Sequence, residues 1–230
     1  MLTLAIIPAR GGSKGVPRKN LRFVGGLSLL QRAIDGARKS GMIDHVLVST
    51  DDEEIQKEAA RAGAEVPFLR PAALADDQTA SADVVAHAVE QFERLAGARP
   101  DTIVLLEPTS PFRNAESIRR ALLKYAEGTC RSVVSVCPLE RKPENIFIKG
   151  PTLEPYIRQP RERFARRQDM HHLCRLNSAI YVVNRDAFMQ EKRFLLEPIG
   201  YVEMTPLESI NIDEELDLEF AELVAKEYGL

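Results

Sequence analysis

Residues 4–21 hold the densest set of groups that could do chemistry. An apolar run from Leu4 to Ile7 leads into Arg10-Gly11-Gly12-Ser13-Lys14-Gly15, and Lys19 and Asn20 follow shortly after. Glycines permit positive φ and close backbone approach, so successive N–H groups can converge on an anion. Arg10, Lys14 and Lys19 add positive charge, and Ser13 adds a hydroxyl. The chemistry that suits this set is a triphosphate cradle at the end of a first strand. The plainer reading is a strand-to-helix loop with solvated cations. The stretch lacks the spacing of a P-loop and of the dinucleotide-binding fingerprint, so neither of those phosphate sites is present.

Three further loops carry groups of interest. Arg70 to Ser81 mixes a cation with Asp76, Asp77, Thr79 and Ser81, and reads either as a binding loop or as a surface turn. Glu107-Pro108-Thr109-Ser110-Pro111-Phe112-Arg113 is stiffened by two prolines. In Ser209-Ile210-Asn211-Ile212-Asp213, Asp213 taken alone reads first as a helix N-cap and second as a metal ligand. Arg158, Arg161, Arg163, Arg166 and Arg167 form either a solvated surface or a guanidinium fork for a carboxylate. His171, His172 and Cys174 lack a fourth partner for zinc.

The elements that must position these loops alternate between strand and helix, which predicts an α/β sheet covered on both faces. Ser28 is placed to cap a helix with Leu29, Leu30, Ala33, Ile34 and Ala37 on one stripe, ending at Gly41. His45–Thr50 reads as a buried strand, and Asp51 or Asp52 as the cap of a helix running to Ala62. Glu65–Leu69 reads as a short strand. A helix from Ser81 carries Val84, Val85, Ala88, Val89, Phe92 and Leu95 on one face. Strands are expected at Thr102–Leu106, Ser132–Val136, Ala179–Asn184 and Tyr201–Met204, with a helix before Glu127. A last helix is expected to start near Asp213 and to bury Leu216, Phe220, Leu223 and Val224. Between Leu139 and Leu176 the rhythm breaks, and a loop of that length is usually functional or builds an interface. Ligands of open α/β sheets bind at the carboxyl ends of strands, where the loaded loops fall.

The 230 residues fit one domain, with 139–177 as an excursion. Hydrophobic residues make up 44% and charged residues 28%, as in an ordinary globular chain. A net charge of −3 argues against nucleic acid as a partner, so an anionic substrate has to be held by a local cluster of cations. No apolar run approaches the roughly 18 residues of a membrane span. The stretch from Leu2 to Ile7 is too short for a signal-peptide core. Cys130, Cys137 and Cys174 have no metal-type spacing and suit reduced thiols in a cytoplasmic protein.

Pro8-Ala9-Arg10-Gly11-Gly12-Ser13-Lys14-Gly15, followed by Pro17-Arg18-Lys19-Asn20-Leu21, resembles the opening motif of CMP-sialic acid synthetases, the acylneuraminate cytidylyltransferase family. Weaker likenesses extend from Ala5 to about Asp217. Glu107–Arg113 is similar to the family's Gln-Pro-Thr-Ser-Pro motif, with Glu107 in place of Gln. Arg167-Gln168-Asp169 and Asn177-Ser178-Ala179-Ile180-Tyr181 are similar to two others, with Ser178 in place of Gly.

The resemblance implies a three-layer α/β/α sandwich with a mostly parallel, mixed sheet, like that of the nucleotide-diphospho-sugar transferases. It implies that CTP and a nine-carbon α-keto acid sugar give a CMP-sugar and pyrophosphate. By resemblance, Ala9, Arg10, Gly11, Gly12, Ser13, Lys14, Lys19, Asn20, Arg70 and Ser81 face the nucleotide. Glu107, Thr109, Ser110, Arg167, Gln168 and Asn177 face the sugar. Arg10, Lys14, Lys19 and Asp213 carry catalysis. The family's Asp-Ile-Asp pair, which helps hold magnesium, reads Asn211-Ile212-Asp213 here, so Asp213 with Asn211 is the implied Mg²⁺ site. The 139–177 excursion implies a homodimer. A carboxylate at Glu107 would repel an acidic sugar unless it is paired or meets a hydroxyl or amine. An eight-carbon acid as substrate, or a nucleotide-binding protein without turnover, are the other readings.

Overall fold

The structure is a computed structural model that describes residues 1–141, 143–156 and 173–230. Its centre is a six-stranded sheet built from β1 (Thr3–Pro8), β4 (His45–Ser49), β5 (Thr102–Leu106), β6 (Ser132–Pro138), β9 (Cys174–Asn184) and β10 (Ile199–Glu203). Their order across the sheet is β10-β6-β9-β5-β1-β4. β9 runs antiparallel to both β5 and β6, and every other pairing is parallel. β1 is apolar from Leu4 to Pro8, as suits a strand with both faces of its sheet covered.

Ala5 and Ile7 point to a layer formed by α1 (Leu29–Lys39), α2 (Glu53–Arg61) and α4 (Ala115–Ala126). Leu4 and Ile6 point to the opposite layer, formed by α3 (Ser81–Ala96) and α5 (Arg185–Glu191). The result is the expected three-layer α/β/α sandwich. α1 is capped as anticipated: Ser28 Oγ accepts from the Gln31 N–H at 3.1 Å, and Gln31 Oε1 accepts from the Ser28 N–H at 2.9 Å. Asp52, not Asp51, caps α2, accepting from the Glu54 and Ile55 N–H groups.

Four expectations need correction. Glu65–Leu69 is not a strand. Glu65 alone bridges to Leu47, and Pro67, which has no N–H, stops the pairing from continuing. The strand expected from Ala179 begins at Cys174. Its polar first half was disguised by Arg175 and Asn177, and its register against β6 shifts between Val134 and Val136. Leu95 is 48% exposed at the end of α3 rather than packed beneath it.

The last helix, α6 (Glu215–Tyr228), buries a different face from the one expected. Leu218, Ala221, Val224 and Ala225 pack with Val16, Val24, Leu29 and Phe112, while Leu216, Phe220 and Leu223 face outwards. Two alanines let the helix lie close to its support, a placement that the bulkier face would not allow. Its first turn is closed by Asp217 Oδ2, which accepts from the Asp213 and Glu214 N–H groups at 2.9 Å each. Asp213 is therefore not the cap, and its own carboxylate is available to the site.

Two short hairpins complete the described chain. One is β2 (Phe23–Val24) with β3 (Leu27–Ser28), and the other is β7 (Phe147–Lys149) with β8 (Leu153–Pro155), which lies in the predicted excursion.

Candidate active site

The loops after β1, β4 and β5, the middle of β9 and the segment before α6 meet at one rim of the sheet. β1 ends at Pro8, and Ala9 is buried, its N–H donating to the Ser49 carbonyl at 2.9 Å. Of the glycines that follow, Gly11 and Gly15 work through close approach, not through positive φ. A Cβ on Gly11 would sit 2.7 Å from Asp52 Oδ2, and a Cβ on Gly15 would overlap the Asp213 carbonyl oxygen. The Gly11 N–H is already donated to Asp51 Oδ1 at 3.0 Å, so it does not point into an open anion nest. The loop also presents the side chains of Arg10, Ser13 and Lys14.

Those side chains are arranged around a cleft of about 480 Å³. Of the residues named above for the nucleotide, Arg10, Ser13, Lys14, Lys19, Asn20, Arg70 and Ser81 line it, and Ala9, Gly11 and Gly12 do not. Asn20 Nδ2 donates to the Arg10 carbonyl at 3.0 Å and fixes the turn. Lys19 Nζ donates to the Ile212 carbonyl at 2.8 Å and lies 3.3 Å from Asp213 Oδ1. The Ile212 N–H in turn donates to the Thr109 carbonyl at 2.9 Å, which stitches three loops together. Arg70 is buried beside Asp51 at 3.6 Å, and burial holds its guanidinium below the usual arginine range.

Sequence reasoning missed Asp77. Its Oδ1 lies 2.6 Å from Arg10 Nη2, and its Oδ2 pairs with Lys14 Nζ. Two acids in the Arg70–Ser81 loop were visible, but nothing local says which of them turns toward the cradle.

A second cleft of about 640 Å³ adjoins the first. Ser81, Glu107, Thr109 and Asp213 line both. Its other walls are Leu105, Tyr181, Phe194 and Leu195, with Arg193, Ser178 and Asn211. Arg193 and the Phe194-Leu195 wall carried no sequence signal, whereas Tyr181 sat inside a motif already singled out. Glu107 is partly buried, and desolvation pushes its carboxyl up to about 7 against the attraction of Arg113, Lys19 and Arg70. Arg113 Nη1 donates to the Glu107 carbonyl at 2.6 Å and the Ala179 carbonyl at 3.0 Å. Arg113 is buried, which pushes it down to about 10, and it anchors the proline-stiffened loop to β9.

Two residues expected at the sugar do not line the second cleft. Ser110 is buried, and its Oγ has no hydrogen-bond partner among the described residues. Asn177 uses its whole amide on the fold. Its Oδ1 accepts from Ser135 Oγ at 2.6 Å and from the Ala179 N–H at 3.3 Å. Its Nδ2 donates to Ser209 Oγ at 2.9 Å and Met204 Sδ at 3.4 Å. No donor or acceptor is left for a ligand. Ser178 beside it adopts φ 60°, which turns the chain at the mouth of the second cleft. Arg167 and Gln168 lie outside the described residues, as do Arg158, Arg161, Arg163, Arg166, His171 and His172.

The implied magnesium site can be tested on its oxygens. Asn211 Nδ2 donates to Asp213 Oδ2 at 2.6 Å, and Asn211 Oδ1 is buried without a partner. An orphaned amide oxygen next to an exposed carboxylate suits a hard cation that takes its remaining ligands from phosphates and water. Among the described residues no group of three or more His, Cys, Asp or Glu side chains gathers as a metal cluster.

Comparison with known proteins agrees with this geometry. The cytidylyltransferase family model matches residues 4–227. A CMP-N,N'-diacetyllegionaminic acid synthase from Legionella pneumophila is 35% identical over 94% of this chain and 93% of its own. A pseudaminic acid cytidylyltransferase from Campylobacter jejuni is 32% identical over 98% of this chain and 97% of its own. The solved structure of a CMP:2-keto-3-deoxy-manno-octonic acid synthetase complexed with CTP superposes with a TM-score of 0.71. It covers 99% of this chain and 100% of its own at 16% identity, and so bears on the fold. The match over almost the whole length, with relatives above 30% identity from end to end, makes this chain a member of the cytidylyltransferase family.

Proposed function

We propose that the chain transfers the cytidylyl group of CTP to a nine-carbon α-keto acid sugar and releases pyrophosphate. The observation that carries this reading is the pair of clefts meeting at Glu107, Thr109 and Asp213. One cleft is lined by cations and suits a triphosphate. The other joins an apolar wall, Leu105, Tyr181, Phe194 and Leu195, to the guanidinium of Arg193, and suits an acylated sugar acid. The names of the Legionella and Campylobacter relatives support the same substrate class.

The sugar's anomeric hydroxyl attacks the α-phosphorus at the junction of the clefts. The new bond joins sugar oxygen to phosphorus, the hydroxyl proton passes to solvent water, the α–β phosphoanhydride bond breaks, and its electron pair leaves on pyrophosphate. Arg10 and Lys14, with Lys19, neutralise the phosphates, and Ser13 donates to them. Arg70 and Asn20 hold the nucleotide in register. Catalysis rests mainly on positioning and charge neutralisation. Asp213 and Asn211 would hold Mg²⁺, which when bound neutralises phosphate charge and acidifies the attacking hydroxyl.

The reading makes the chain a homodimer built through the 139–177 excursion. The exposed Phe147, Ile148, Leu153 and Tyr156 around the β7–β8 hairpin support that assignment. We place the protein in the cytoplasm. Among the described residues no helix is long and apolar enough to cross a membrane.

The test is pyrophosphate release with CTP and a panel of nine- and eight-carbon sugar acids, beside calorimetric CTP binding. Turnover with a nine-carbon acid is expected. Turnover confined to an eight-carbon acid moves the substrate, and binding without turnover removes the catalytic reading. Sedimentation that shows a monomer at micromolar concentration removes the dimer.

A further inference from the structure

The first cleft carries acids as well as cations. Four cations line it, Arg10, Lys14, Lys19 and Arg70, and so do four carboxylates, Asp76, Asp77, Glu107 and Asp213. These acids are not equivalent. Asp213 is engaged by Lys19 and Asn211 at the junction of the two clefts, with its carboxylate exposed. Asp76 faces its own loop, accepting from the Gln78 N–H at 2.9 Å, the Thr79 N–H at 2.7 Å and Thr79 Oγ1 at 2.6 Å. Asp77 alone bridges the two outer cations of the cradle, one oxygen on Arg10 and the other on Lys14. The turn closed by Asp76 presents Asp77 in that position just before α3 begins.

A carboxylate bridging two cations occupies the place of a phosphate. We propose that Asp77 is a built-in competitor for the pyrophosphate end of the site. It holds Arg10 and Lys14 while the cleft is empty, gives way to the triphosphate, and returns to them as pyrophosphate leaves. The inference rests on the reading that Arg10 and Lys14 bind the phosphates of CTP.

The physical consequence is selective. A ligand that needs Arg10 and Lys14 binds only to the fraction of molecules whose clasp is open, so its apparent affinity falls by that fraction. A ligand that leaves those cations alone is unaffected. Both ion pairs are largely solvent-exposed, Lys14 above all, so the penalty is small, about two- to tenfold. It is also screened by salt.

Asp77→Asn keeps the side chain's shape and removes its charge, and Asp77→Ala removes both. The measurement is calorimetric binding of CTP, pyrophosphate and cytidine to the full chain, with steady-state kinetics alongside. Both variants are expected to bind CTP and pyrophosphate about two- to tenfold more tightly, with cytidine unchanged. KM for CTP falls, inhibition by pyrophosphate strengthens by the same factor, and kcat does not rise. Unchanged or weaker binding of CTP and pyrophosphate by both variants would overturn the proposal. So would equal tightening of cytidine, because the effect would then not run through the cations. A wild-type chain that fails to bind CTP at all would instead overturn the function proposed above.

Discussion

Gly15 lies so close to Asp213 that no side chain fits between them: a methyl group on Gly15 would overlap the Asp213 carbonyl oxygen. This contact ties the first loop of the chain to the segment before its last helix, 198 positions further on by residue number (213 − 15). Gly15→Ala is expected to push the two loops apart and remove most turnover. Gly12→Ala meets no atom within 4 Å and is expected to fold with an unchanged melting temperature. Thermal melts of the two variants and a pyrophosphate assay of Gly15→Ala check the pair. Wild-type turnover by Gly15→Ala would show that the loops need not touch.

Lys14 is 83% exposed at its side chain and packs nothing. Lys14→Ala should therefore leave stability within about 0.5 kcal/mol of wild type. It should lower kcat by a factor on the order of 10²–10³, as when one preorganised charge-stabilising donor is lost. A kcat near wild type would take Lys14 out of the mechanism.

Asn177 joins β6, β9 and the segment before α6 through one buried amide. Asn177→Ala leaves Ser135 and Ser209 without that partner, and a loss of about 1–3 kcal/mol is expected. Because the amide supports the loop that carries Asp213, turnover should fall while calorimetric affinity for the sugar acid changes little. Loss of sugar affinity with full stability would return Asn177 to a direct contact.

Glu107 binds its proton more tightly in the folded chain, with its carboxyl raised from the ordinary 4.5 to about 7 by burial. Arg113, Lys19 and Arg70 face it and oppose the shift, and Asp213 adds to it. Between those two values the folded state holds a proton that the unfolded state has lost, so stability falls as pH rises through this window. Glu107→Gln abolishes that slope. Denaturant unfolding at pH 5 and pH 8 should show wild type losing more stability than the variant, by at most about 3 kcal/mol. Identical losses would put the Glu107 carboxyl in its ordinary range.

Local chemistry made much of the fold legible. The Ser28 cap, the apolar run of β1 and the glycine stop after α1 depend on neighbours a few residues apart, and they lie where the pattern put them, with Gln31 completing a capping box that the pattern did not specify. α6 was misread because apolar residues occur on both of its faces. Packing chose the face with Ala221 and Ala225, a choice made by the surface beneath. Close approach was foreseen for the glycines of the first loop, but what crowds Gly11 and Gly15 is Asp52 and Asp213, far away in the chain, and Gly12 meets nothing. Asp77 was illegible for the same cause: its partners Arg10 and Lys14 are more than 60 residues distant.

The antiparallel course of β9 has a structural dividend. Pro138 at the end of β6 pairs directly with Cys174 at the start of β9, so the intervening chain leaves and re-enters the sheet at adjacent positions. Such an insertion hangs from a closed stem. Lengthening or exchanging it adds little loop-closure entropy and moves none of the five strands that run the other way. The closed stem thus lets the segment that it spans change in length or sequence while the parallel strands beneath the two clefts keep their places.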